Sequence, residues 1–111
     1  MYLYLVKQIS MHVFLNLMPC DKFDIIRETY DVVCNFDGLT EYGISTAMNY
    51  INKSKQITKK FLSINHTYNS YTFTDLYKNN NNIKLLLKEE CDYRIDYDPP
   101  LRYYKEILEF V

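Results

Sequence analysis

Tryptophan is absent, and the 111 residues hold only two glycines and three prolines. Hairpin-rich β proteins need such punctuation, because tight turns recruit residues that adopt or pre-set unusual φ values. Their scarcity therefore argues for helices. A net charge of −1 removes any global electrostatic case for nucleic acid or an anionic membrane. Cys20, Cys34 and Cys91 are widely and irregularly spaced, with no CxxC pair, which predicts free thiols in a reducing, cytoplasmic compartment. No GxGxxG, P-loop, HExxH or GxSxG occurs. Neither an enzyme nor a cofactor or metal site is expected.

What is present is an ordinary globular balance, 48% hydrophobic and 24% charged, in a chain of one-domain length. Residues 1–18 are the most apolar stretch, but Lys7 and Gln8 interrupt it and no basic region or small-residue cleavage site flanks it. A spanning helix needs about 20 apolar residues, so one or two buried helices are predicted there instead. Asp21 is placed to cap a helix to about Val33, with Phe23, Ile26 and Tyr30 on one face. Residues 35–43 read as a turn, with Gly38 and Gly43 available for positive φ. Residues 63–71 read as a loop, although the β-branched and aromatic residues of 67–74 could pair as a short strand. Asp98-Pro99-Pro100 stops any helix, and a last helix is predicted over 101–110.

The chain's strongest internal signal is a repeat. Thr46, Asn49, Ile57 and Phe61 fall on Thr72, Asp75, Ile83 and Leu87 at a constant offset of 26. Each copy (46–62 and 72–87) reads as a Thr-capped short helix, a polar corner and a second, apolar helix. Such a pair cannot bury its own apolar face, so copies stack. The predicted fold is mainly α, a single domain of stacked short antiparallel helix pairs. Met48, Ile51, Ile57, Phe61, Leu62, Ile83, Leu86 and Leu87 form its expected core. Truncating Leu86 to Ala would then cost about 2–5 kcal/mol.

Single polar residues carry less. His12 sits in an apolar run and reads as structural. His66 sits among Asn65 and Thr67 with no acid beside it and reads as solvated. Asp92, Asp96 and Asp98 lack the glycine and terminal glutamate of a calcium loop. Lys53, Lys55, Lys59 and Lys60 form the one basic concentration, centred on Lys55, Lys59 and Lys60. As part of a helix-turn-helix or winged-helix unit over 40–62 they make nucleic-acid binding the alternative function, although the preceding helix is acidic.

Thr46-Ala47-Met48-Asn49-Tyr50-Ile51 resembles the TPLHxA box of ankyrin repeats, and residues 57–62 resemble the second-helix IVKxLL. Thr72-Phe73-Thr74-Asp75-Leu76-Tyr77 and residues 83–87 repeat the likeness more loosely. With the Asn, Tyr and Ile bias, the pattern is similar to poxvirus ankyrin-repeat proteins. The copies depart from an ankyrin repeat in their spacing, against about 33 residues, and in lacking the glycine between the helices. The resemblance implies a degenerate ankyrin-like repeat domain over 1–98 and a non-catalytic, host-protein-binding role in the host cytoplasm. Tyr42, Tyr50, Tyr71 and Tyr77 would be its aromatic anchors. It also implies a C-terminal helix over 99–111, either a cap or a truncated F-box-like (PRANC) segment. In the second case Pro100, Tyr104, Ile107, Leu108 and Val111 would dock onto a ubiquitin-ligase adaptor.

Overall fold

The computed structural model describes residues 1–92 and 102–111. It is built around a six-stranded mixed sheet, not stacked helix pairs. The strands are β1 (Tyr2–Ile9), β2 (His12–Pro19), β3 (Val32–Phe36), β4 (Lys60–His66), β5 (Ile83–Cys91) and β6 (Tyr103–Phe110). They lie in the order β2-β1-β3-β4-β6-β5. Every neighbouring pair is antiparallel except β3 and β4. A parallel pair needs a crossover, and the helix α1 (Ile44–Ile57) lies in that connection.

The all-α expectation fails element by element. The apolar opening folds as the β1–β2 hairpin, turning at Ser10 and Met11, with Ser10 at φ 57°. Asp21 caps no helix: a short 3-10 helix, Cys20–Ile25, precedes β3 and has no side-chain cap. The glycines adopt no positive φ; Ser10 and Asp37 do. Residues 46–62 are one helix running into β4, and residues 72–87 are a 3-10 turn, Phe73–Leu76, running into β5. The ankyrin-like pairs, and equally the helix-turn-helix over 40–62, are therefore not formed. Thr46 lies exposed inside α1. Thr72 does cap, in a capping box: its side chain accepts from the Asp75 backbone amide, and its own amide donates to the Asp75 carboxylate at 2.8 Å. The predicted C-terminal helix is β6, between β4 and β5.

Helix α1 forms because Ala47, Ile51 and Ser54 recur at i, i+4 and i+7 and are all buried, with Ile57 one turn further. It ends where Thr58 turns extended (φ −151°), its amide still held by the Ser54 carbonyl at 2.9 Å. Its apolar stripe meets Leu3 and Leu5 of β1, Val33 of β3, Phe61 of β4 and Leu108 of β6, all buried. Phe73 stacks on Phe61 with centroids 5.7 Å apart, so the 3-10 turn lies on the same side as α1. Phe23 meets the α1 residue Tyr50 at 6.1 Å, which places the first 3-10 helix there too. The core is one layer thick, between sheet and helices. Of its expected members, Ile51, Ile57 and Phe61 are buried; Met48, Leu62, Ile83 and Leu87 are half-buried, and Leu86 is exposed. No helix among the described residues is long and apolar enough to cross a membrane.

Candidate functional site: the open face of the sheet

Strand residues alternate between faces, and the registers carry that alternation across all six strands. Leu5, Val33, Phe61 and Leu108 point to the helices. Tyr4, Cys34, Leu62 and Ile107 point the other way; Cys34 is buried there, and Tyr4, Leu62 and Ile107 are half-buried. Around that row stand Val6, Val32, Phe36 and Ile64, each half-buried, with the Tyr4 and Phe36 rings 5.0 Å apart. The row continues onto β2, where Val13, Leu15 and Leu17 are 65%, 62% and 53% exposed. The rim is charged: Lys60 lies opposite Glu109, and Lys105 pairs with Glu89 at 2.6 Å. That carboxylate raises the Lys105 ammonium above its usual range. Strands about 4.8 Å apart, over some five residues at about 3.3 Å each, give a footprint of roughly 400–500 Å².

The covered face, by contrast, holds polar groups that are nearly all satisfied. Asn35, Ser63 and Asn65 are buried core-facing residues of β3 and β4. Asn65 Nδ2 donates to Ser63 Oγ at 2.7 Å and to Asn35 Oδ1 at 3.1 Å; Asn65 Oδ1 accepts from the Gly38 amide. The Leu39 amide also donates to Asn35 Oδ1, at 2.9 Å. These bonds fasten the turn after β3 to β4. Glu106, buried in β6, accepts from Tyr77 Oη at 2.6 Å and from Thr74 Oγ1 at 2.5 Å, with Lys88 Nζ 3.8 Å away. Burial and that carboxylate push the Tyr77 phenol well above its usual range.

His66 is buried, not solvated, and has two acidic neighbours that lie far off in the sequence. Its Nε2 is 3.1 Å from Glu41 Oε1 and 3.8 Å from Asp37 Oδ1. These ligand-type atoms lie within 4.8 Å of one another, so a metal site must be tested. The Tyr68 amide donates to Nδ1 at 3.2 Å, which leaves the ring proton on Nε2, directed at Glu41. A metal on Nε2 would need that proton moved to the nitrogen already facing an N–H. The trio is a hydrogen-bonded clasp between the β3 turn and β4.

Of the tyrosines expected as anchors, Tyr42, Tyr50 and Tyr71 are brought together, while Tyr77 packs apart from them on Phe73 and Glu106. Tyr71 and Tyr77 are buried, 7% exposed each, and Tyr71 Oη donates to the Tyr42 carbonyl at 2.6 Å. Tyr42 and Tyr50 are half-buried and touch each other, centroids 6.0 Å apart. Of the C-terminal residues, Tyr104 and Ile107 are half-buried, Leu108 is fully buried and Val111 is exposed; Pro100 lies outside the described residues. Asp96 and Asp98 lie outside them as well. Lys55, Lys59 and Lys60 do gather, around a cleft of about 670 Å³ that also holds Asp31 and Thr58. It lies at the C-terminal end of α1, where the helix dipole favours cations over anions. No protein-family model, curated protein or solved structure matches the chain.

Proposed function

We propose that the chain is a non-catalytic protein-binding module whose contact surface is the open face of its sheet. The observation that carries this reading is the apolar field from Leu15 through Tyr4 and Leu62 to Ile107, bordered on its β4–β6–β5 side by charged pairs. An apolar centre within a polar rim is the anatomy of a protein interface. Contiguous exposed apolar areas of a few hundred Å² on soluble chains mark interaction sites. A host protein as partner, and the cytoplasm as the place of contact, belong to the same proposal. Docking onto a ubiquitin-ligase adaptor needs an exposed helical face; Leu108 instead lies in the central strand β6 and faces the core, so the proposal rests on the sheet face alone.

The test is affinity capture from cell extract with the intact chain, set beside Leu62→Glu and Asn52→Glu variants. A partner held by the chain and by Asn52→Glu, but lost with Leu62→Glu at unchanged melting temperature, supports the reading. Equal capture by all three, or none, contradicts it.

A further inference from the structure

The two edges of the sheet are built differently. On β5 the edge carries Lys84, Lys88, Glu89 and Glu90 and an irregularity between Leu85 and Leu87. Charges and bulges are how sheet edges are kept from pairing with another chain. On β2 neither device is present. No charged residue occurs from Gln8 to Cys20, the β1–β2 register is unbroken, and the one proline, Pro19, stands at the strand's end.

The hydrogen bonds say which β2 groups face outward. The Asp31 amide donates to the Val6 carbonyl at 2.8 Å, and the Gln8 amide donates to Asp31 Oδ2 at 2.6 Å. Even-numbered residues of β1 therefore face β3, and its odd-numbered ones face β2. Through the pairs Leu5↔Asn16 and Lys7↔Phe14, β1 uses the even-numbered residues of β2. Val13, Leu15 and Leu17 direct their amides and carbonyls away from the sheet, with their side chains on the open face.

Resting on the protein-binding reading, we propose that this edge binds a second copy of the chain. The two β2 strands pair antiparallel about a two-fold axis at Leu15 and extend the sheet to twelve strands. In that register Val13 faces Leu17 of the other copy and Leu15 faces Leu15, so all three outward residues are used. Sliding it one pair either way brings Leu17 against Met11 in the turn, or Val13 against Pro19, which has no N–H to give. A two-fold contact presents a patch to itself, so charge on β2 would meet like charge; its neutrality fits a self-contact. The pairing joins the two open faces into one apolar surface.

Cysteine scanning tests this, in the full chain with Cys20→Ser and Cys91→Ser. Directly opposed residues of a hydrogen-bonded pair have Cα atoms about 5.5 Å apart, inside disulfide range. Leu15→Cys is expected to give a covalent dimer under mild oxidation. Val13→Cys and Leu17→Cys are expected to do so only when combined. In sedimentation the unmodified chain is expected at twice its 13.4 kDa mass, and Leu15→Lys at the monomer mass with an unchanged circular dichroism spectrum. Sedimentation of the chain as a monomer at every concentration overturns the proposal. So does a dimer that survives Leu15→Lys, or cross-linking of Leu15→Cys no faster than of Met11→Cys. A monomer that still loses its partner with Leu62→Glu overturns the dimer alone. A dimer whose partner capture ignores Leu62 overturns the binding reading alone.

Discussion

Glu106 offers a sharp test, because its bonds to Tyr77 and Thr74 exist only if the 3-10 turn lies on β6, about 30 positions along the chain. The carboxylate is 4% exposed. Hydrogen bonds to a charged acceptor contribute about 1.5–3 kcal/mol each, so Tyr77→Phe should cost about that much. Glu106→Ala removes both bonds and leaves the buried Tyr77 hydroxyl without its carboxylate acceptor, for roughly 3–6 kcal/mol on the same scale. Against a total stability of about 5–15 kcal/mol, that is a large fraction. Urea unfolding of both single variants and the double variant gives the coupling directly. About 1–3 kcal/mol is expected, since the two groups touch. Additive losses would mean that Tyr77 and Glu106 do not meet, and the packing of the turn on the sheet would be refuted.

Leu108→Ala should cost about 2–5 kcal/mol, since Leu108 is fully buried; Leu86→Ala, at an exposed site, should cost under about 1 kcal/mol by the same urea assay. Lys78 and the Thr72 amide hold the Asp75 carboxyl down at about 2. Its stabilising contribution is therefore complete above the ordinary carboxylate range and is lost as pH falls towards 2, so the urea midpoints of the chain and of Asp75→Asn should converge over that range. Burial pushes the Cys34 thiol up to about 11, whereas hydrogen bonds from Tyr50 and Tyr42 lower Cys20. Alkylation followed by peptide mass spectrometry at mildly alkaline pH should label Cys20 well before Cys34; equal rates would contradict the burial of β3.

Helix near Thr46 and a cap at Thr72 were legible in the sequence, because both are local patterns; the corner expected at residues 53–56 is instead the last turn of α1, with Ser54 buried. The strands were hidden by their own cores. Ser63, Asn65 and Glu106 occupy inward positions where the period-2 pattern calls for apolar residues. With them in place, β4 reads as a polar loop and β6 as a helix face of Tyr104, Ile107, Leu108 and Val111. Residues 1–18 carried no period, since β1 and β2 are apolar on both faces. Gly was scarce because Ser10 and Asp37 take the positive φ values themselves. The His66 clasp had no local signal: its acids are 25 and 29 positions away. The open face had none either, since it exists only once six separate segments are set side by side.

The central claim is that the open face, not the helical side, meets a partner. Photo-cross-linking groups placed singly at Tyr4, Leu62 and Ile107, and for comparison at Asn49, Asn52 and Lys55 on α1, test it in cell extract. The account predicts adducts with another protein from the three sheet positions and none from the helix. Adducts from the helix positions alone would contradict it.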